Sequence, residues 1–131
     1  MGKKRILIVD DEQEMVKAMQ IRLEHEGYEV LVATDGQEAL DKARSQMPDL
    51  ILMDIMLPKL DGYKVCRFLK FDAKYKNIPI IILTAKVQSS DEEIGLQVGA
   101  DAYITKPFER GVVISKIKEL LKEDTGSAPA A

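Results

Sequence analysis

The sequence contains few of the residues that form disulfides or histidine metal sites. It has one cysteine and one histidine among 131 residues. A single cysteine excludes an internal disulfide and is typical of a protein from a reducing compartment. A single histidine excludes a metal site built from several imidazoles.

Long apolar runs and a basic charge excess are also missing. The apolar runs at 6–9, 50–53 and 80–83 are far shorter than the roughly 18 residues of a spanning helix. Acidic residues follow the first run directly, so a signal peptide is not indicated, and Ile6 breaks the myristoylation pattern. The formal net charge of −3 disfavours broad contact with duplex phosphates. We expect a cytoplasmic protein without direct membrane or nucleic-acid binding.

The composition is that of one globular domain. The hydrophobic fraction is 46% and the charged fraction is 31%, which argues against disorder. We expect this domain to occupy residues 1–123. The small, polar residues 124–131 are predicted to be a flexible tail, a linker or a cloning remnant.

Strand and helix patterns alternate along the chain. Strands are predicted at 5–9, 29–33, 50–53, 79–83 and 102–105, and helices at 13–26, 37–46, 62–71, 91–98 and 109–122. This alternation predicts an α/β fold, a three-layer doubly wound (flavodoxin-like) sandwich with a parallel five-stranded sheet. The first, third and fourth strands are the most apolar and should be central, which gives the order 2-1-3-4-5.

Polar side chains follow four of these strands. Asp10-Asp11-Glu12 follows the first strand, Asp54 the third, Thr84-Ala85 the fourth and Thr105-Lys106-Pro107 the fifth. Ligands of open α/β sheets bind outside the carboxyl ends of the strands, so these groups should share one pocket.

Each group also has a purely structural interpretation. Asp11 is a candidate helix N-cap, with Glu14 completing a capping box. Asp10 is a candidate solvated loop acid, and Asp54 and Lys106 a candidate structural ion pair.

The combination of groups favours phosphoryl chemistry. Clustered carboxylates attract a hard cation such as Mg²⁺ or Mn²⁺, which prefers oxygen ligands. One carboxylate can then act as a nucleophile toward a phosphoryl group, while a lysine and a hydroxyl bind the phosphoryl oxygens.

Four motifs resemble the receiver domain of two-component response regulators, including the chemotaxis regulators. They cover residues 5 to about 122 and read IVDDE (8–12), LILMDIMLPKLDG (50–62), IILTA (81–85) and GADAYITKPF (99–108). The resemblance implies that Asp54 accepts the phosphoryl group. It implies that Asp11, Asp54 and the backbone carbonyl of Met56 bind the metal, with Asp10 acting through water.

The resemblance also implies roles around the pocket. Thr84 and Lys106 would bind the phosphoryl oxygens, and Tyr103 would turn inward when Thr84 moves. The Lys106–Pro107 bond is expected to be cis, and Met56 and Lys86 would tune the phosphate lifetime. The output surface would comprise the helices at 91–98 and 109–122 and the strand at 102–105.

The resemblance implies a phosphorylation-controlled switch rather than an enzyme. Its donor would be a sensor histidine kinase, a phosphotransfer protein or acetyl phosphate, and its target a downstream protein or a fused output domain. The alternative is a phosphohydrolase of the haloacid-dehalogenase type. That family needs a second aspartate where this sequence has Met56. A flavin-binding protein is disfavoured because the acidic residues after the first strand would repel a flavin phosphate.

Other noticeable residues have ordinary interpretations. His25 should be solvated, Cys66 should be a small core residue, and Met15, Met19 and Met47 should pack inward. The basic and aromatic residues at 70–76 are interpreted as a solvated loop.

Overall fold

The computed structural model describes residues 2–55, 57, 59, 61–84 and 99–122, which form five strands and four helices. The strands are β1 (Arg5–Val9), β2 (Glu29–Ala33), β3 (Leu50–Asp54), β4 (Ile80–Thr84) and β5 (Ala102–Thr105). The helices are α1 (Gln13–His25), α2 (Gly36–Gln46), α3 (Gly62–Lys70) and α4 (Arg110–Leu120). The predicted helix at 91–98, the tail at 124–131 and the sites Met56, Ala85 and Lys86 lie outside the described residues.

The five strands form one parallel sheet in the order β2-β1-β3-β4-β5, which confirms the predicted order. Strands β3 and β4 are buried along their whole length, whereas β2 and β5 are partly exposed edge strands. Strands that are apolar on both faces must be covered on both faces, so the most apolar strands lie in the centre of the sheet and the more polar strands at its edges.

Helices cover the two faces of the sheet. On one face, α2 and α3 pack against the sheet through Ala39, Leu40, Ala43, Val65, Cys66 and Leu69. On the other, α1 and α4 pack through Val16, Met19, Leu23, Val113, Ile114 and Ile117. Each set repeats at helical spacing, so the predicted inward faces are confirmed apart from Met47.

Met47 does not pack inward as predicted. It ends α2 in a left-handed conformation with φ 46° and is 42% exposed. The left-handed turn carries its side chain away from the face that Ala39 and Ala43 bury, so the helical period no longer applies there.

The segment between α3 and β4 is not a purely solvated loop, which corrects a second prediction. The ammonium of Lys70 donates to the Ile78 carbonyl at 2.9 Å and to the Asp101 carboxylate at 2.8 Å. The same carboxylate accepts the Ile80 backbone N–H at 2.8 Å, and Tyr75 is buried. Lys70 therefore ties α3 to the starts of β4 and β5.

The outer edge of β2 carries a side-chain contact as well. The Ala33 carbonyl accepts a hydrogen bond from the backbone N–H of Asp10, at the end of β1. Successive carbonyls of a strand point to opposite sides, so the Val32 carbonyl points away from β1. The ammonium of Lys42, on α2, donates to that carbonyl and pairs with Glu38.

Candidate functional site

Three carboxylates lie together at the carboxyl ends of β1 and β3. Oxygens of Asp10, Asp11 and Asp54 all lie within 4.8 Å of one another. Asp10 and Asp54 are only 1% and 8% exposed, whereas Asp11 is exposed. Three carboxylates so close together repel each other, so the cluster favours a cation between them.

Asp11 is not the N-cap of α1, so its capping interpretation is wrong. Glu12 occupies the N-cap position and makes no capping hydrogen bond through its side chain. The Glu12 backbone N–H instead donates to Asp10 Oδ1 at 2.9 Å. The turn after β1 therefore orients Asp10 and leaves the Asp11 carboxylate at the cluster.

Lys106 joins the three carboxylates from the end of β5. Its ammonium lies 2.8 Å from Asp10 Oδ2 and 3.4 Å from Asp54 Oδ2, and Glu12 Oε1 lies further away at 3.9 Å. The ion pair foreseen between Lys106 and Asp54 is therefore shared with Asp10, which is the nearer partner. The Lys106–Pro107 peptide bond is cis, as expected.

Burial and charge act in opposite directions on this lysine. Burial alone lowers the pKa of Lys106, but the hydrogen bond and charge of Asp10, together with Asp54, outweigh it and raise the pKa above the ordinary value. The lysine therefore stays protonated at neutral pH and partly offsets the cluster charge.

Thr84 lies next to this group through the sheet register, and Tyr103 lies on the neighbouring strand, paired with Ile82. Asp54 pairs with Leu83 and Thr84 pairs with Thr105, so the fully buried Thr84 follows directly at the same edge. The Lys106 backbone N–H donates to the Thr84 carbonyl at 2.6 Å. Tyr103 is half-buried and packs against the core on the α2–α3 side.

Sequence reasoning missed the tight packing behind Asp54. Gly62, the first residue of α3, is so close that a Cβ there would lie 2.4 Å from the Asp54 carbonyl oxygen and 2.8 Å from Ile55 Cα. Its N–H donates to the Ile55 carbonyl at 3.1 Å, and Asp61 caps the helix by accepting the Lys64 N–H at 3.0 Å. The loop after β3 is thus held at both ends.

An open groove of about 440 Å³ also borders Lys106 and was not foreseen. Met15, Ala18 and Met19 of α1 form one wall, and Pro107 and Phe108 form the other. Apolar surface therefore lies directly beside the charged cluster.

The residues set aside at the sequence level have the expected environments. Cys66 is fully buried, and burial raises the pKa of its thiol to about 12. His25 is exposed. No helix among the described residues has the length and apolarity to cross a membrane.

Comparison with known proteins gives a consistent result. Residues 6–118 match the family described as response regulator receiver domain. The chain is 46% identical over 128 residues to the alkaline phosphatase synthesis transcriptional regulatory protein PhoP of Bacillus subtilis strain 168, covering 98% of this chain and 52% of that protein. The chain spans about half the length of the curated relatives it matches.

Solved structures agree with the sequence relatives. A CheY-like response regulator receiver domain protein from Methanospirillum hungatei JF-1 has a TM-score of 0.86 at 35% identity, covering 92% of this chain and 95% of that one. The receiver domain of sensor histidine kinase PA1611 from Pseudomonas aeruginosa PAO1 has a TM-score of 0.80 at 35% identity, covering 94% and 100%, and was solved with magnesium in its active site cleft. Nothing in these comparisons supports the haloacid-dehalogenase alternative.

Proposed function

The chain belongs to the response regulator receiver domain family, and we propose that it accepts a phosphoryl group on Asp54. The observation that carries this proposal is the position of Asp54. Its buried carboxylate ends a central strand, within 4.8 Å of two other carboxylates and 3.4 Å from the ammonium of Lys106. A carboxylate so placed combines a nucleophilic oxygen with nearby positive charge.

The transfer exchanges one bond to phosphorus for another. An Asp54 carboxylate oxygen attacks the phosphorus of a phosphohistidine or an acyl phosphate, and the bond from phosphorus to the donor breaks. The donor keeps the electron pair of that bond, and Asp54 becomes an acyl phosphate. The protein does not need to supply a proton to Asp54, so positioning and charge neutralisation are its main contributions.

The oxygen donors of the cluster fit Mg²⁺ or Mn²⁺. Asp11, Asp54 and the carbonyl of Met56 would hold the ion, with Asp10 acting through water. When bound, the cation offsets the repulsion between the carboxylates and the incoming phosphoryl group. Lys106 adds a second positive charge on the side of Asp10, and the Thr84 hydroxyl would bind a phosphoryl oxygen.

Phosphorylation would then act as a switch. The new group adds negative charge and acceptor oxygens, which draw Thr84 and Lys106 toward Asp54. The backbone hydrogen bond from Lys106 to Thr84 joins the end of β5 to the end of β4. We expect the change to reach Tyr103, β5 and α4. The helix predicted at 91–98, which belongs to the expected output surface, lies outside the described residues.

The partners follow from this role. The phosphoryl donor would be a sensor histidine kinase, a phosphotransfer protein or acetyl phosphate, and the groove beside Lys106 gives a protein donor apolar surface next to the site. The output would be a downstream protein or a fused domain, since the relatives include transcriptional regulators about twice as long as this chain. The cytoplasmic location expected from the cysteine content stays a prediction.

The test is the intact mass of the protein after incubation with acetyl phosphate and Mg²⁺. We expect the mass to increase by one phosphoryl group. When EDTA is added before the phosphoryl donor, the mass should not increase. Asp54→Asn should abolish the gain, and Asp41→Asn, which changes an exposed carboxylate on α2, should leave it intact. Full phosphorylation of Asp54→Asn would refute the assignment of the acceptor.

The switch has a separate test. Amide hydrogen exchange of β5 and α4 should differ between the free protein and the protein phosphorylated by acetyl phosphate. Identical exchange in the two states would contradict the coupling while leaving the acceptor assignment untouched.

A further inference from the structure

The outward face of α3 carries an apolar and basic stripe. Val65 and Leu69 point into the core, whereas Lys64, Arg67 and Phe68 lie on the opposite side, followed one turn later by Phe71 just after the helix. Positions 64, 67, 68 and 71 fall on one helical face. The two phenylalanines are 51% and 71% exposed. Two large aromatic side chains one turn apart in water mark a contact surface more often than a solvated face.

Positive charge surrounds these two side chains. Residues 64–76 contain five basic residues and one acidic residue, a net charge of +4. The whole chain has a net charge of −3, so the remaining residues carry −7. Residues 64–76 therefore form a basic segment in a chain whose other residues are acidic overall.

The positive charges are also available to a partner. Lys70 is paired with Asp101, but the other four basic residues form no ion pair with any residue in the described part of the chain. These four are exposed: Lys64, Arg67, Lys74 and Lys76. The ammonium of Lys74 lies 5.5 Å from the ring centroid of the buried Tyr75, so this exposed lysine also has an aromatic contact within the chain.

The size and charge of this surface select the kind of partner. A nucleic acid strand or an anionic membrane favours an extended basic surface, whereas the residues outside 64–76 carry a net charge of −7. A short protein segment needs to cover only the patch. Apolar side chains of such a segment would contact Phe68 and Phe71, while its carboxylates would face Lys64, Arg67 and Lys74.

We propose that the outward face of α3, with the turn after it, is a docking surface for a short acidic amphipathic segment of a partner protein. The surface is separate from the aspartate site. Helix α3 begins at Gly62 beside Asp54 and runs away from that edge, so Phe71 lies a helix length, about 13 Å, from it. A bound segment therefore leaves the carboxylate cluster open.

The test uses the full chain and a short synthetic helical peptide with leucines on one face and glutamates on the other. We expect the peptide to shift NMR signals of α3 and of residues 71–76, and its affinity to fall as salt rises. Phe68→Ser with Phe71→Ser, and separately Lys64→Glu with Arg67→Glu, should each weaken binding by about tenfold or more. Ile21→Ser, which changes a residue on α1 whose exposure (62%) lies between those of the two phenylalanines, should have no effect.

Further controls separate the peptide from other ligands and from the phosphoryl chemistry. A scrambled peptide of the same composition should bind at least about tenfold more weakly. The Asp54→Asn variant should bind the peptide normally, so failure of the docking surface and failure of the acceptor assignment are distinguishable. Equal binding of the scrambled peptide, unchanged binding by the phenylalanine variant, or stronger binding of phosphatidylglycerol vesicles or a single-stranded oligonucleotide would overturn the proposal.

Discussion

Replacing Gly62 with alanine should be costly although the position is helical. An ordinary contact of a Cβ begins at about 3.4 Å, and the alanine Cβ would lie 2.4 Å from the Asp54 carbonyl oxygen, so the backbone must move by about 1 Å. Overpacking of this kind costs about 1–3 kcal/mol. In open space, the same substitution in a helix stabilises by roughly 0.5–1 kcal/mol.

Gly111, in the first turn of α4, provides the matched control because an added Cβ there meets nothing within 4 Å. Urea unfolding followed by far-UV circular dichroism suits a chain without tryptophan. We expect Gly62→Ala to lose about 1–3 kcal/mol and Gly111→Ala to gain up to about 1 kcal/mol. Because the forced shift begins at Asp54, Gly62→Ala should also be phosphorylated more slowly by acetyl phosphate. If Gly62→Ala is as stable as Gly111→Ala, the inferred close packing is wrong.

Three further predictions concern charged residues. Asp11→Asn should raise the unfolding free energy by about 1 kcal/mol in EDTA, because it removes repulsion within the cluster, and should reduce the stabilisation that Mg²⁺ gives; urea midpoints with and without Mg²⁺ measure both. Lys70→Met should cost about 1 kcal/mol because the Asp101 carboxylate loses its cation and the Ile78 carbonyl loses its donor, whereas Lys76→Met should be nearly neutral in the same urea titration. The folded state raises the pKa of Lys106, so the protonated lysine stabilises the fold. This stabilisation is complete below the unfolded pKa of about 10.4 and is lost as the pH rises through the folded pKa. The melting temperatures of the wild type and Lys106→Met should therefore converge at high pH.

The fold was predictable because its main determinant is local. Strand apolarity separates β3 and β4, buried on both faces, from the partly exposed β2 and β5, and parallel crossovers leave few orders for five strands. The carboxylate cluster followed from the same topology, because Asp10, Asp54 and Lys106 each come at the end of a strand.

Contacts between distant segments were not predictable in this way. The sequence contains a plausible capping pattern at Asp11, but the turn geometry places Glu12 at the cap. Lys70 and Asp101 are separated by 31 residues and carry no local signal of pairing. The requirement for glycine at position 62 depends on how closely α3 approaches β3, which no spacing in the sequence records.

The contact between Lys42 and Val32 has a consequence for how molecules of this chain meet in concentrated solution. An uncovered border strand is a template on which a second molecule can add a strand of its own, the first step toward fibrils. A strand added at β2 would have to displace the Lys42 ammonium from the Val32 carbonyl and desolvate the charge of that ammonium. The Lys42 side chain thus opposes the addition of a foreign strand to β2.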